Sequence, residues 1–277
     1  MSASDKVWFI TGASSGFGRA FAEHALSRGH RVVATARNTE SLMDITAQAP
    51  DRVIALTLDV TRAGDAQKAI ADALAHFGRI DVLINNAGYG VVGALEETSD
   101  ADLRALMDTN FFGAMAVIRA ALPTLRAQRF GAIVNISSMG GQMSFAGFSA
   151  YSASKFALEG ASEALVQEVA PFNVKVLIVE PGQFRTDLAG GSMRHMPELD
   201  AYNDTVGPTR VFARDMHHTQ PGDPAKAAAA IEAALDAEIT PLRLTLGGDA
   251  VDAIRRHAET LLADMEKWEK VSRGTNF

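Results

Sequence analysis

The fold of this chain is decided by the stretch Val7-Trp8-Phe9-Ile10-Thr11-Gly12-Ala13-Ser14-Ser15-Gly16-Phe17-Gly18. An apolar run of strand length leads into a glycine-rich turn, and a helical pattern covers residues 19–28. Strand, glycine-rich turn and helix in this order are typical of a dinucleotide-binding site. Gly12 allows the tight turn, Gly16 lets the backbone approach a pyrophosphate at the helix N-terminus, and Gly18 permits close packing of helix on strand. We therefore expect a phosphate site here, although a lone glycine motif is often only a tight turn.

Strands and helices alternate along the rest of the chain. Apolar runs of strand length cover residues 31–36, 53–58, 81–85, 131–136, 174–180 and 242–246. Helical patterns begin near residue 39 and cover residues 63–77, 100–128 and 150–170, and Pro123 is expected to kink the helix 100–128. Continuous apolar strands between amphipathic helices indicate a parallel sheet covered on both faces. The expected fold class is therefore α/β: a single Rossmann-type doubly wound domain with a mostly parallel seven-stranded sheet.

A candidate acid–base pair lies in the run Tyr151-Ser152-Ala153-Ser154-Lys155. Residues four apart on a helix share a face, so Tyr151 and Lys155 would point to the same place. A nearby cation stabilises phenolate and lowers the pKa of the tyrosine, which can then act as general acid or base on a carbonyl or alcohol. Ser138 lies shortly upstream, with Ser137 as the neighbouring candidate. The pair alone is a weak signal, because such spacing is common on helices.

Three further motifs lie where predicted strands end. They are Asp59-Val60, Asn85-Asn86-Ala87-Gly88 and Pro181-Gly182-Gln183-Phe184-Arg185-Thr186. Ligands of open parallel sheets bind at the carboxyl ends of the strands, so these motifs are expected at the dinucleotide site. Two of them have simpler interpretations, since Asp59 could cap the following helix and Gly88 could form a plain turn.

The ordered set T-G-x-x-x-G-x-G, N-N-A-G, Asn110, Ser138 and Y-x-x-x-K resembles the short-chain dehydrogenase/reductase family over about residues 6–186. The resemblance implies that Tyr151 exchanges a proton with the substrate oxygen and that Ser138 hydrogen-bonds this oxygen. It implies that Lys155 lowers the pKa of Tyr151 and holds the nicotinamide ribose. Asn110 would hold a water that connects Lys155 to solvent; otherwise it is an ordinary surface asparagine. The predicted catalytic residues are therefore Asn110, Ser138, Tyr151 and Lys155.

The resemblance also implies a set of cofactor contacts. Asp59 would bind the adenine amino group, the Asn86-Ala87-Gly88 segment would lie along the cofactor, and Thr186 would contact the nicotinamide carboxamide. The full set of predicted cofactor-binding residues is Gly12, Ser14, Ser15, Gly16, Phe17, Gly18, Arg37, Asp59, Val60, Asn86, Ala87, Gly88, Tyr151, Lys155, Pro181, Gly182 and Thr186.

The end of the second strand favours NADP over NAD. NAD enzymes usually place an acidic residue there to bind the ribose 2′-hydroxyl, whereas this chain has Ala36 followed by Arg37. A guanidinium can bind a 2′-phosphate through charge-assisted hydrogen bonds. Two observations weaken the prediction: Arg37 could be a solvated loop cation, and Ser15 stands where the family has its second basic marker.

The substrate is expected to be bulky and apolar. An irregular stretch, residues 187–222, mixes methionine and aromatic residues and is expected to form a substrate lid. The segment between Ser138 and Tyr151 would add an apolar wall with Met139, Met143, Phe145 and Phe148, joined by Tyr89. Glu96 and Glu97 are expected in a solvated loop or helix start. His217-His218 lacks partners at ligand spacing, so no metal site is expected.

Composition limits the function classes. The 277 residues carry a net charge of −7, are 47% hydrophobic and include no cysteine. The charge argues against nucleic acid or anionic membrane as a partner, and the cysteine count excludes disulfides and thiol chemistry. Without a signal-peptide pattern or an apolar run of membrane-spanning length, a cytoplasmic protein is expected. The predicted organisation is one domain over residues 1–277: a core over about 6–186, the lid over about 187–222, and C-terminal helices with the last strand over about 223–277.

Three functions remain open from the sequence. The favoured one is an NADP(H)-dependent oxidoreductase that interconverts a secondary alcohol and a ketone. The alternatives are a catalytically silent dinucleotide-binding regulator and an epimerase or dehydratase that uses the cofactor transiently. The resemblance implies association through the helices 100–128 and 150–170. A helix opening at Asp249 is expected to fold over its own subunit and block a second contact, which gives a homodimer, or otherwise a monomer.

Overall fold

The computed structural model describes residues 5–216 and 219–277, apart from the side chain of Ala189. Seven strands form one sheet in which every neighbouring pair is parallel, in the order β3-β2-β1-β4-β6-β7-β9, and β5 pairs with β8 in a small second sheet. This confirms the predicted α/β Rossmann-type fold. The strands are β1 Val7–Ile10, β2 Arg31–Ala36, β3 Val53–Thr57, β4 Val82–Asn85, β5 Gly90–Val92, β6 Gly131–Ile136, β7 Val174–Pro181, β8 Met193–His195 and β9 Arg243–Leu246.

Helices cover both faces of the large sheet. Buried side chains form one apolar cluster on each face, with Trp8 and Ile10 of β1 in the first cluster and Val7 and Phe9 in the second. This alternation follows from the period of two along a strand. The helices are α1 Gly16–Ser27, α2 Met43–Gln48, α3 Asp65–Phe77, α4 Asp100–Met107, α5 Ala114–Gln128, α6 Ser149–Val169, α7 Gly207–Asp215, α8 Pro224–Asp236 and α9 Gly248–Arg273.

The long helix predicted over residues 100–128 contains an irregular segment. Helices α4 and α5 are joined without a break by a π-helical segment, Asp108–Gly113, while Pro123 lies inside α5. The change in hydrogen-bonding pattern therefore falls around Asn110 rather than at the proline. π-Helical segments inside α-helices are frequent at functional sites.

Length and composition alone would allow this helix to cross a membrane. Within the described residues, Asp100–Gln128 contains a window with a mean hydropathy of 1.2, of which 39% is buried in the protein. The sequence expectation that no apolar run approaches spanning length is therefore too strict. A core helix of a soluble protein passes the same test, and one face of α5 packs in the core through Val117, Ile118, Ala121 and Leu125.

Helix α9 departs from the predicted arrangement. Its start is anchored by the buried Ala250 and Ala253, but every residue from Ala258 to Phe277 is exposed. The prediction that this helix folds over its own subunit is therefore wrong for its second half. The sequence correctly predicts a helix here, from the spacing of Val251, Ile254, His257, Leu261, Leu262 and Met265. An apolar stripe does not, however, specify the surface on which it packs.

Candidate active site

The glycine-rich turn after β1 is tied to the end of β4 by side-chain hydrogen bonds. Gly12 has φ +66°, and a Cβ there would lie 3.1 Å from the Cα of Ala87. The side-chain amide of Asn86 donates to the carbonyl oxygens of Thr11 and Gly12 at 3.0 and 3.1 Å. Only glycine fits the backbone conformation and the close approach without strain. The predicted glycine and Asn-Ala-Gly motifs therefore meet.

Thr11 has a positioning role that the sequence interpretation missed. Its hydroxyl oxygen accepts hydrogen bonds from the backbone N–H groups of Asn86 and Ala87, both at 2.9 Å, and its own proton is directed to the carbonyl of Ile84 at 3.3 Å. Thr11 is 1% exposed, so this contact is shielded from water. The threonine of the first motif thus fixes the loop after β4.

The start of α1 is shaped to admit an anionic group. Gly16 has φ +52°, and a Cβ there would lie 3.3 Å from the Cβ of Thr186. A Cβ at Gly18 would lie 2.1 Å from the carbonyl oxygen of Gly12, so helix and turn are in direct contact. Ser15 is the N-cap of α1, and its side chain does not cap the helix. The first N–H groups of a helix favour phosphate, and this cradle of glycines fits the pyrophosphate of a dinucleotide.

The loop after β7 is held by the first turn of α9. Asp249 accepts a hydrogen bond from the backbone N–H of Gln183 at 2.7 Å, and a Cβ at Gly182 would lie only 2.4 Å from its carboxylate oxygens. Pro181 and Thr186 of the same loop are buried. Phe17 of α1 packs on Phe184 with ring centroids 5.1 Å apart. Asp249 is a second positioning residue that sequence reasoning missed, because its partner is far away along the chain.

Arg37 and Asp59 lie at the ends of neighbouring strands. Arg37 is exposed, and its guanidinium makes no ion pair or hydrogen bond with the part of the chain that the structure describes. Asp59 accepts hydrogen bonds from the N–H and hydroxyl of Thr61, which lower the pKa of its carboxyl group. The N-cap of α3 is Gly64, so the alternative that Asp59 caps this helix is wrong, and adenine binding stays a prediction. Val60 is buried beside Gly113.

The structure brings Ser138, Tyr151 and Lys155 together. A Cβ at Gly140 would lie 3.4 Å from both the Ser138 Oγ and the Tyr151 Cε1, so these side chains are neighbours. The Nζ of Lys155 lies 5.7 Å from the centroid of the Tyr151 ring. Burial raises the pKa of Tyr151, and the nearby Ser138 side chain opposes this shift only in part. The net direction in this structure is upward because desolvation dominates, and the lowering effect of Lys155 stays a prediction.

Lys155 is a buried cation, and no carboxylate among residues 5–216 and 219–277 contacts its ammonium group. It is 7% exposed, and its Nζ donates to the carbonyl oxygen of Ile136 at 2.9 Å. Burial lowers the pKa of Lys155 to about 8, while the charge of Glu159 acts in the opposite direction. The amine can therefore gain and lose a proton near neutral pH.

Asn110 lies in the π-helical segment, 2% exposed. Its Oδ1 accepts from the N–H of Tyr89 at 3.0 Å, and its Nδ2 donates to the carbonyl of Tyr89 at 3.0 Å and to the Oγ of Ser154 at 3.1 Å. Ser154 in turn donates to the carbonyl of Tyr151 at 2.7 Å. The amide thus connects the Tyr89 loop to helix α6, which carries Tyr151. With both Nδ2 protons used, only Oδ1 could still accept from the predicted water.

A polar network connects the loop between β6 and α6 to β7, α6 and β9. The Nε2 of Gln142 donates to Glu159 at 3.2 Å and to Glu180 at 2.9 Å, and the Nε of Arg243 lies 3.1 and 3.2 Å from the same two carboxylates. Glu159 follows Lys155 by one helical turn. Burial raises the pKa of Glu159, and the neighbouring Glu180 raises it further. No motif predicted these residues, because acidic and basic partners far apart in sequence carry no local signal.

The predicted lid is attached to the core by strand β8 and by a buried ion pair. Met193–His195 pairs with Gly90–Val92, and Arg194 stacks on the ring of Tyr89 at 4.4 Å. Arg210 of α7 donates to Glu97 in a fully buried ion pair. Glu97 also accepts from the N–H groups of Ala94 and Leu199 at 2.6 and 2.8 Å.

The expectation that Glu97 is solvated is therefore wrong. Burial would raise its pKa, but the three hydrogen bonds together lower it. Glu96 is exposed as expected and accepts from the hydroxyl of Tyr202 at 2.6 Å. The neighbouring glutamates thus have different environments, which a sequence position alone does not reveal.

A family model described as short chain dehydrogenase matches residues 6–196. The chain belongs to the short-chain dehydrogenase/reductase family. The oxidoreductase BOA17 of Botryotinia fuckeliana is 41% identical over 268 residues, which cover 96% of this chain and 98% of the relative. A 3-ketodihydrosphingosine reductase of Bacteroides thetaiotaomicron is 42% identical over 199 residues, which cover 72% of this chain and 71% of that one.

Solved structures of family members have the same fold. A short-chain dehydrogenase from Streptomyces avermitilis has a TM-score of 0.94 and 56% identity, and the match covers 99% of this chain and 100% of that chain. A member from Burkholderia phymatum, solved with NAD, has a TM-score of 0.82 and 26% identity, with 95% and 97% of the two chains covered. This chain is thus an oxidoreductase of a family that binds nicotinamide dinucleotides and acts on small molecules.

Metal ligation gains no support from the described residues. Within ranges 5–216 and 219–277, His, Asp and Glu side chains form no group of three that could hold a metal ion. His217 and His218 lie outside the described residues.

Proposed function

We propose that this chain is an NADP(H)-dependent oxidoreductase that interconverts a secondary alcohol and a ketone, with Asn110, Ser138, Tyr151 and Lys155 as its catalytic residues. The observation that carries the proposal is the close approach of the Tyr151 ring to the Ser138 hydroxyl, beside the buried ammonium of Lys155. A protonated tyrosine can donate to a substrate oxygen in reduction, and the Ser138 hydroxyl can share the developing charge. The bound nicotinamide supplies or accepts the hydride.

Lys155 is proposed to carry a proton rather than a fixed charge. With a pKa of about 8, its amine can return a proton to Tyr151 after each turnover at working pH. Asn110 is proposed to position Tyr89 and, through Ser154, the helix that carries Tyr151. This role follows from its contacts, whereas its water-binding role depends on Oδ1 alone.

NADP is the proposed cofactor, with the seventeen predicted contacts from Gly12 to Thr186 as its site. The exposed guanidinium of Arg37 next to Ala36 supports this choice, because a free cation suits a 2′-phosphate and an acidic residue is missing there. The Burkholderia phymatum relative was solved with NAD, so family membership leaves the choice open.

The proposed substrate is a bulky apolar ketone or alcohol, bound beneath a lid of residues 187–222. Phe148 packs near Tyr151 with ring centroids 6.1 Å apart, and Phe145 is 45% exposed. The name of the Bacteroides thetaiotaomicron relative, 3-ketodihydrosphingosine reductase, denotes a ketone on a long apolar chain.

We also propose a single-domain organisation, a cytoplasmic location and a homodimer as the basic assembly.

A ketone panel with NADPH tests the proposal. Loss of NADPH absorbance with a ketone, absent in Tyr151→Phe, is the expected result. A regulator would bind NADPH tightly and consume none with any ketone. An epimerase or dehydratase would change its substrate without net consumption of the cofactor.

A further inference from the structure

Helix α9 leaves the body of the protein halfway along its length. Val251, Ile254 and His257 are half-buried, whereas the chain from Ala258 onwards is exposed. At a rise of ~1.5 Å per residue, the helical residues 258–273 extend about 24 Å past His257. A helix of this length without tertiary contacts is marginal in water, so a contact with another surface would stabilise it.

An apolar stripe runs along the projecting part of α9. Leu261, Met265 and Trp268 follow one another at helical spacing and are 54%, 65% and 57% exposed. Leu262 and Val271 flank them and are 55% and 60% exposed. We call these five residues the C-terminal stripe. It continues the face by which the first turns of α9 pack on the body. Single exposed apolar residues are ordinary, but a contiguous stripe marks an interaction surface.

Charge is divided unequally along the same segment. Residues 258–266 include Glu259, Asp264 and Glu266 without a basic residue, a net charge of −3. Residues 267–273 include Lys267, Lys270 and Arg273 against one acidic residue, a net charge of +2. That acidic residue, Glu269, is already paired with Arg273 of the same helix at 2.7 Å. The helix segment 258–273, which carries the C-terminal stripe, therefore has an acidic first half and a basic second half.

We propose that the C-terminal stripe binds the same stripe of a second copy of this chain, with the two helices antiparallel. In that orientation the acidic half of each helix lies beside the basic half of its partner, which gives two equivalent acidic–basic contacts. A parallel pair would place like charges together, which is unfavourable. The antiparallel pair is two-fold symmetric about a point near Met265, so one surface serves both copies. The net charge of the whole chain, −7, opposes an anionic membrane as the occupant.

Light scattering of the full-length protein tests the apolar contact. At the same micromolar concentration, the variant Leu261→Gln/Met265→Gln/Trp268→Gln is expected to have half the mass of the wild type, whether the wild type is a dimer or a larger assembly. Ile239→Gln is the matched control, since Ile239 is 84% exposed and lies outside α9; its mass is expected to equal that of the wild type. Equal masses for wild type and triple variant overturn the proposal.

Charge exchange tests the orientation. Asp264→Lys/Glu266→Lys and Lys267→Glu/Lys270→Glu are each expected to halve the mass, because each places like charges together in an antiparallel pair. The four-fold variant that combines them restores opposite charges in the antiparallel pair but keeps like charges together in a parallel one. We expect it to recover the mass of the wild type. A four-fold variant as small as the double variants, with unchanged helical content by circular dichroism, contradicts the antiparallel pairing.

Tryptophan fluorescence identifies the occupant. Of the two tryptophans, Trp8 is fully buried, so quenching by acrylamide reports on Trp268. Quenching is expected to fall as protein concentration rises across the range in which the mass doubles. Quenching that is independent of concentration overturns the proposal. Protection that occurs only with added anionic phospholipid vesicles, without a change in protein mass, assigns the stripe to a membrane and also overturns it.

Discussion

Two buried cations in this protein are held in opposite ways. Lys155, at the proposed catalytic site, is 7% exposed and its ammonium contacts a neutral carbonyl oxygen, that of Ile136. Arg210, at the lid, is 1% exposed and is paired with the carboxylate of Glu97. A buried charge without a paired anion destabilises the fold but can react, whereas a paired one is inert. The Glu97–Arg210 pair therefore holds α7 on the core, whereas the Lys155 amine can change its protonation state.

The largest effect is expected on the rate of ketone reduction when the hydroxyl group of Tyr151 is removed. Tyr151→Phe should lower the rate of ketone reduction by about 10²–10⁴-fold, the usual contribution of a general acid. NADPH affinity should stay within about twofold, because the ring still packs and only the transferable proton is lost. Turnover numbers and fluorescence titrations measure both. Activity near that of the wild type would exclude Tyr151 from the mechanism.

Breaking the Glu97–Arg210 ion pair should lower the stability of the fold rather than abolish the catalytic reaction. Glu97→Ala leaves the Arg210 charge buried without its anion and should lower the free energy of unfolding by about 3–5 kcal/mol. Glu97→Leu/Arg210→Met removes both charges, so it should lose far less than the sum of the single changes. Urea unfolding of the three variants measures this. Additive losses would show that the two residues do not stabilise the fold as a pair.

Replacing Lys155 by an apolar residue should stabilise the protein, because its buried ammonium group is removed. Below pH 8 the Lys155 amine is protonated in both the folded and unfolded chain, and burial of the charge costs about 3 kcal/mol for a pKa lowered from 10.5 to about 8. Between pH 8 and 10.5 the unfolded chain still binds the proton and the folded chain does not, so stability rises with pH. Lys155→Met should therefore be more stable than the wild type at pH 7.

The pH dependence of this gain is the decisive measurement. The advantage of Lys155→Met should shrink as pH rises towards 10.5, while turnover is lost throughout. Lys226→Met, at an exposed position on α8, is the matched control and should change stability little at any pH. Urea unfolding of the cofactor-free proteins at several pH values supplies the data. A Lys155→Met variant that is less stable than the wild type at pH 7 would show that the hydrogen bond to Ile136 outweighs the desolvation.

The same contrast explains what the sequence could predict. Parallel strands, the glycine turn, and the meeting of Ser138, Tyr151 and Lys155 all follow from short motifs, because each motif is local and each strand end has a fixed place in the sheet. The Glu97–Arg210 pair could not be predicted, since its partners are 113 residues apart and each looks like an ordinary surface charge. The network around Glu159 was missed for the same reason.

Burial was the second quantity that the sequence did not supply. Spacing placed Lys155 near Tyr151, but the direction of the Tyr151 pKa depends on desolvation, which a motif does not record. Helical periodicity predicted α9 and its apolar stripe, yet the exposed Leu261 and Trp268 show that the stripe does not pack on its own subunit. Amphipathicity predicts that a face will be covered, and the partner has to be found from geometry and charge.

Arg37 is a surface cation, in contrast to Lys155 and Arg210, and its substitution should have the smallest effect on stability. Its guanidinium is exposed and unpaired within the described ranges 5–216 and 219–277, so its removal should leave the free energy of unfolding unchanged within about 0.5 kcal/mol.

Wild-type protein should bind NADPH more tightly than NADH. Arg37→Ala should weaken NADPH binding about ten- to a hundredfold, the value of one charge-assisted contact, and leave NADH nearly unaffected. Arg62→Ala serves as the matched control, since Arg62 is another exposed arginine, on the loop after β3. Fluorescence titration of both cofactors against the three proteins measures the difference. Equal affinity of the wild type for NADH and NADPH would contradict the argument from Ala36 and Arg37.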